Sequence, residues 1–302
     1  MKFELTDEQR DFAASLDALL ASSDSVAVAR AWAAGDHAPG LKLWARLADQ
    51  GVQALLVPEH RDGLGATPVE LVLAFEALGR HCVPGPWVET AAYLRVGDGS
   101  VATVAAPPLT PYALDADIAD TVLVATPDGL RSGTVGEPVT SIDPARRLFV
   151  VTPGEVSAEL AEDAFDLAAL ATAAQLLGAG ERVLSDSVTY VKQRTQFGRP
   201  IGSYQAIKHQ LADVRIALDF ARPLVWGAAL DPTARDVSAA KVAAGDAAYL
   251  AARVALQVHG AIGYTAEYDL SLWLVKIRAL QSAWGTNAWH RARILESLVS
   301  KR

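Results

Sequence analysis

The sequence predicts a mainly α-helical protein with a small β domain set between two helical parts. Three observations carry that expectation. Apolar residues recur at helical spacing through the first hundred positions. Short β-prone segments broken by Pro, Gly and Asp follow, and long apolar-periodic runs fill the remainder of the 302 residues. The expected division is an N-terminal helical domain over 1–97, a reduced β domain over 98–155, and a C-terminal four-helix bundle, with one further short helix, over 156–302.

Each element has its own signal. Thr6 followed by Gln9 is a capping-box pair, after which Phe12, Leu16, Leu19 and Leu20 keep helical spacing. A second helix is expected over roughly 39–51, closing at a glycine. A third starts at TPVE, with Thr67 as cap, Pro68 in the first turn and Glu70 as the return partner, and ends near Gly79. GVQALLVPEHRDGLGA between them reads as a short apolar stretch and a glycine-rich loop. In the middle, SVATVAA, TVLVAT, GLRSGTV, EPVTSI and RLFVVTP suit a small antiparallel sheet. A module of fewer than about 60 residues leans on its neighbours for stability. Beyond it, long helices are expected from Phe165 to near Tyr190, Tyr204 to Leu230, Val237 to Val258 and Leu270 to Leu280, with a last one from Thr286 to Leu298.

Composition removes several function classes. A net charge of -8 argues against nucleic acid, whose phosphates need a basic field. The N-terminus MKFELTDEQRDF has no apolar signal core, and the longest apolar run, LAALATAAQLLGAG, is too short for a membrane span. One cysteine, Cys82, forms no internal disulfide and suits a reducing cytoplasm as a small buried hydrophobe. The six histidines show no metal-binding spacing, so no metal site is expected. Phosphate loops, GxGxxG turns and nucleophile elbows are likewise missing from the sequence.

Two stretches do suggest chemistry. In KQRTQFGRPIGSYQ (192–205), Arg194 offers paired donors suited to a pyrophosphate, Phe197 a face for a flat heterocycle, and Gln205 an amide for a ring edge. Gly198 permits close backbone approach and Pro200 stiffens the turn. A solvated arginine and a phenyl ring plugging a bundle serve equally well on physics alone. In QVHGAIGYT (257–265), Gln257 and the two glycines permit ligand contact, while a glycine-ended helix explains them too. WGTN (284–287) supplies a helix cap at Thr286 or Asn287.

LTDEQRDF, LADQGVQALLVPEHRDGLGATPVELVLAFEALGR, RTQFGRPIGSYQAIKHQLADV and QVHGAIGYT, in that order, resemble the acyl-CoA dehydrogenase family. The resemblance covers both helical domains well and the middle poorly. It implies FAD as cofactor, lying across a subunit interface, and an acyl-CoA thioester as substrate. Carried over by position, Arg194, Gln196 and Phe197 would reach the pyrophosphate and adenine end of a neighbour's flavin. Gln257 and Gly260 would join them, with Ala261 where the family usually has a second glycine. Gln205 and His209 are further candidates, and Thr286 aligns with the threonine that touches the chain's own flavin.

Departures from the family pattern are equally informative. The family's catalytic glutamate sits in a Tyr-Glu-Gly-Thr motif, where this chain reads Ala283-Trp284-Gly285-Thr286, and an indole cannot accept a proton. Some members carry the glutamate on the first long C-terminal helix, at a position aligned with Ala168. Asp166, two residues away, is the candidate base there, although it faces another side of the helix. The Thr-Glu-Pro-x-x-Gly-Ser-type segment that holds the flavin ring is missing from 98–155. The resemblance therefore implies a division of labour: the smaller subunit of an α2β2 acyl-CoA dehydrogenase like those of actinobacterial steroid degradation. A larger partner would supply the glutamate, with electron-transfer flavoprotein or a similar acceptor downstream. A self-sufficient homomer with an unusual base and a non-enzymatic scaffold of the same fold are the alternatives.

Overall fold

The structure, a computed structural model, describes residues 4–299. Four helices open the chain: α1 (Asp7–Ala21), α2 (Ser25–Ala33), α3 (Ala38–Asp49) and α4 (Pro68–Arg80). Both expected capping boxes form, Thr6 with Gln9 and Thr67 with Glu70, each satisfying otherwise orphaned backbone N–H groups. Sequence periodicity did not announce α2. It begins at Asp24, whose side chain accepts from the Ala27 N–H, and it buries Val28, Ala29 and Trp32 within only nine residues. A π-helical segment, Val88–Leu94, is also unannounced, because it is buried on nearly every side and carries no amphipathic stripe.

The middle sheet has five strands: β1 (Ala102–Ala105), β2 (Ala113–Leu114), β3 (Thr121–Thr126), β4 (Gly129–Val139) and β5 (Leu148–Ala158), in the spatial order β1-β3-β4-β5-β2. It corrects the antiparallel expectation, since β1 and β3 run parallel. The chain leaves β1, travels to the far edge to form β2 against β5, and returns, so β3 arrives pointing the same way as β1. GLRSGTV and EPVTSI merge into the single strand β4, whose Gly and Pro are absorbed as bulges against β5.

Five α-helices follow among the described residues: α5 (Ala164–Gln193), α6 (Gln205–Leu230), α7 (Ala234–His259), α8 (Leu270–Leu280) and α9 (Asn287–Val299). Alanine along α5 and α7 lets these helices lie close together; α5 buries most of its residues and α7 half of its own. The N-terminal domain meets α5 backbone to backbone. A Cβ placed on Gly178 would come within 1.9 Å of the Glu76 carbonyl, and one on Gly79 within 2.1 Å of the Gln175 carbonyl. Beside that crossing, Arg222 of α6 donates to Glu76 of α4 at 2.8 Å and to Glu181 of α5 at 2.8 Å, while Arg215 forks onto Glu181. Burial alone would raise the Glu181 carboxyl, but the two guanidiniums hold it below its ordinary range.

Candidate functional site

The candidate residues fall into two groups at opposite ends of α5. At its C-terminal end, Arg194 leaves the helix in extended conformation, and its N–H still donates to the Tyr190 carbonyl at 2.8 Å. A small hairpin follows, pairing β6 (Thr195–Gln196) with β7 (Arg199–Pro200). Its two turn residues, Phe197 and Gly198, both have positive φ, 51° and 81°, the pattern of a primed hairpin turn. Glycine takes that conformation freely; a phenylalanine in it costs about 1–2 kcal/mol. The ring gains nothing from its own chain in return, being 91% exposed. The Arg199 guanidinium lies 4.0 Å from the centre of the Tyr204 ring, and the Tyr204 hydroxyl donates to the Gln196 carbonyl at 3.3 Å, so the hairpin is pinned from below. The Arg194 guanidinium is exposed and makes no hydrogen bond or ion pair among the described residues.

The second motif comes to the same end because α5 and α7 run side by side in the same direction. Tyr190, one turn before the end of α5, stacks on His259, the last residue of α7, with ring centres 4.1 Å apart. His259 is buried, its Nδ1–H directed at the Ala255 carbonyl at 2.8 Å, and desolvation lowers its pKa. It is thus a clamp between helix ends, while Gln257, Gly260 and Ala261 face outward. Gly260 needs its residue type for a φ of 62°, and open space lies above both it and Gly198. Gln205 and His209 occupy one exposed face in the first turns of α6. Eight candidates therefore share one end of the bundle: Arg194, Gln196, Phe197, Gln205, His209, Gln257, Gly260 and Ala261.

Thr286 and Trp284 lie elsewhere. Thr286 caps α9, its hydroxyl accepting from the Trp289 N–H at 3.3 Å. The connection it belongs to packs on Phe165, at the start of α5. Thirty helical residues separate that point from Arg194, roughly 40 Å at 1.5 Å per residue, too far for one nucleotide to bridge. Trp284 is 1% exposed and packs on Tyr93 at 4.8 Å and Phe165 at 6.1 Å between ring centres. The His290 Nε2–H holds its carbonyl at 2.9 Å, and Lys241, fully buried, donates to the Leu280 and Gly285 carbonyls at 3.1 and 3.3 Å. Burial lowers the pKa of Lys241 to about 7, and burial followed by the charge of Lys241 lowers that of His290 to about 4.

Carboxylates at this end are committed or sealed. Asp166, 14% exposed at its side chain, takes a two-pronged ion pair from Arg293, with one contact at 3.0 Å. Glu89, missed in the sequence, is 2% exposed beside the Trp284 indole, though neither Glu89 Oε2 nor Trp284 Nε1 reaches hydrogen-bond geometry with any partner. Burial raises its pKa, with the Arg146 charge opposing. An acid inside the apolar run GPWVETAAY was its only sequence signal. Among the described residues, no group of three or more His, Cys, Asp or Glu could hold a metal ion, and no single helix is long and apolar enough to cross a membrane. Cys82 is buried, with its thiol pKa pushed up to about 12 by desolvation.

Comparison with known proteins matches residues 6–98 to the acyl-CoA dehydrogenase N-terminal domain and 158–299 to the acyl-CoA dehydrogenase C-terminal domain. The acyl-CoA dehydrogenase IpdE2 of Mycobacterium tuberculosis is 34% identical over 287 residues, covering 88% of this chain and 90% of that protein. Among solved structures, the ChsE4-ChsE5 complex from Mycobacterium tuberculosis superposes with a TM-score of 0.81 at 22% identity, over 99% of each chain. The Tcur3481-Tcur3483 steroid acyl-CoA dehydrogenase does so with a TM-score of 0.81 at 21% identity, over 98% of each chain.

Proposed function

The chain belongs to the acyl-CoA dehydrogenase family of FAD-dependent oxidoreductases, and from that premise we propose that it is the smaller subunit of a heteromeric member. In this reading it gives a partner's flavin its cross-interface contacts, and the partner supplies the glutamate base. The observation that carries the reading is the hairpin: a strained, exposed Phe197 beside an exposed Arg194 whose guanidinium is unpaired in its own chain. Strain of this kind persists where function requires it.

The residues fit a dinucleotide. Arg194 would fork onto the pyrophosphate, Phe197 would lie against the adenine end, and Gln196 and Gln257 would add amide hydrogen bonds. Gly260 and Ala261 would bring backbone N–H groups up to it, with Gln205 and His209 at its margin. FAD, when bound, supplies the acceptor for the hydride leaving the acyl β-carbon. The α proton then needs a carboxylate that this chain does not offer. Trp284 fills the expected place with an indole, and Asp166 is neutralised by Arg293. That pairing weighs against a self-sufficient homomer.

The partner is a larger subunit of the same fold, the compartment the cytoplasm, and the electron acceptor an electron-transfer flavoprotein or its equivalent. The segmentation into 1–97, 98–155 and 156–302 belongs to the same proposal. Of the structural relatives, one is a steroid acyl-CoA dehydrogenase; a bulky, steroid-derived acyl group is the substrate class we assign. Co-purification tests these points together. Expressed alone the chain should be colourless, and with the correct larger subunit it should form a yellow complex that oxidises steroid-type CoA esters faster than straight-chain ones. A yellow, active homomer would overturn the subunit role, and a preference for linear esters would overturn the substrate class.

A further inference from the structure

A groove of about 600 Å³ lies between the start of α1, the first turns of α4 and the last turns of α6. Leu5, Val69, Val72, Trp226, Ala229 and Leu230 line it, so its wall is mainly apolar. We propose that it binds a neutral lipophile with a hydrogen-bond acceptor, a ketone on a ring-sized apolar body, and that the Trp226 indole is the donor. The volume falls in the range of small-molecule sites. The groove is separate from the flavin candidates, since Trp226 lies about 30 Å along α6 from Gln205 at 1.5 Å per residue.

An unmet donor makes the case. Trp226 is half-buried against the core, and its Nε1–H has no hydrogen-bond partner among the described residues. The indoles of Trp32, Trp44, Trp87 and Trp273, by contrast, each donate at 3.2, 3.1, 3.0 and 3.1 Å. An indole N–H donates and never accepts, so what completes it is an acceptor, and a buried donor left unpaired is costly. The walls around it are fixed. Thr6 and Gln9 close the capping box of α1, and the Gln9 amide donates to Glu70 of α4 at 2.7 Å, tying the two helices together. Charge then selects the class of ligand. Glu4 lines the groove, Asp7 and Glu8 follow it in the first turn of α1, and Arg10 is taken by Asp7 and the Leu5 carbonyl. A second hollow shares Leu5 and Trp226 and leads to Arg80 and Arg222, but Glu76 holds both guanidiniums and Glu181 holds Arg222 as well. An anion would meet like charge at the groove and committed cations beyond it, which leaves a neutral acceptor as the fitting partner.

Acetophenone, ethylbenzene and benzoate, titrated singly into the full chain isotope-labelled at its indole nitrogens, test the site by magnetic resonance. The three probes differ in acceptor and charge at nearly constant size. Acetophenone should shift the Trp226 indole signal, identified by its loss in Trp226→Phe. It should bind about fivefold or more tighter than ethylbenzene, as one added neutral hydrogen bond predicts, and tighter than benzoate. Trp226→Phe should bind acetophenone and ethylbenzene alike. Val69→Phe, which adds bulk from the α4 wall, should weaken both, and Arg194→Ala should change neither. The other indole signals report whether each variant keeps the fold. The proposal fails if no probe binds, if ethylbenzene or benzoate matches acetophenone, if the Trp226 signal stays in place, if folded Trp226→Phe keeps the preference for the ketone, or if Val69→Phe binds the probes as the wild type does.

Discussion

Trp284 and Phe197 share a backbone conformation and differ in nearly everything else. Both are aromatic residues held at positive φ, 54° and 51°, at opposite ends of the same long helix. At Trp284 the strain is offset locally. The indole is sealed among Tyr93 and Phe165, and burying a side chain of that size contributes about 1.5–3 kcal/mol or more. At Phe197 nothing local offsets it, since the ring stands in solvent on a two-residue turn. One end of the bundle is finished within this polypeptide. The other leaves a strained ring and an exposed guanidinium without partners in their own chain, and that asymmetry underlies the proposed shared site.

The sealed end provides the largest expected effect. Trp284→Glu restores a carboxylate at the family's position, yet it should destabilise the chain by about 3–5 kcal/mol through loss of aromatic packing, before any cost of burying the acid. Denaturant melts would read the loss. The variant alone should still fail to oxidise acyl-CoA; an active Trp284→Glu homomer would show that only the base was missing and would dissolve the contrast. A smaller effect of opposite sign is expected at the open end. Phe197→Gly relieves the turn and should stabilise the isolated chain by up to about 1 kcal/mol, roughly 2 °C in Tm for a protein of this size. In the complex it should weaken flavin retention by about tenfold, in line with stacking energies of about 1–3 kcal/mol. A variant that lost stability and kept its flavin would make Phe197 a structural residue.

Much of this was legible in the sequence, for physical reasons. Capping boxes and 3.6-residue periodicity are local signals, so α1, α4 and α8 lie close to where residue spacing puts them. The hairpin motif could be located because glycine and proline punctuate two long helices. What could not be read depends on distant partners. The π-helical segment is buried on nearly all sides, so no stripe marks it. The parallel β1–β3 pair follows from where the intervening chain travels rather than from either strand's composition. Glu89 and Trp226 are ordinary letters until folding sets one against Trp284 and the other on the wall of a groove. That Arg194 and Gln257 share an end, with Thr286 roughly 40 Å away, needed the parallel course of α5 and α7.

The most direct test is the flavin dissociation constant of the co-purified complex carrying Arg194→Ala, compared with wild type. Charge-assisted hydrogen bonds of about 1.5–3 kcal/mol predict weakening of roughly 10- to 100-fold with the assembly intact. An unchanged constant, with full flavin content, would mean that this guanidinium touches no nucleotide and that the open end of the bundle serves some other purpose.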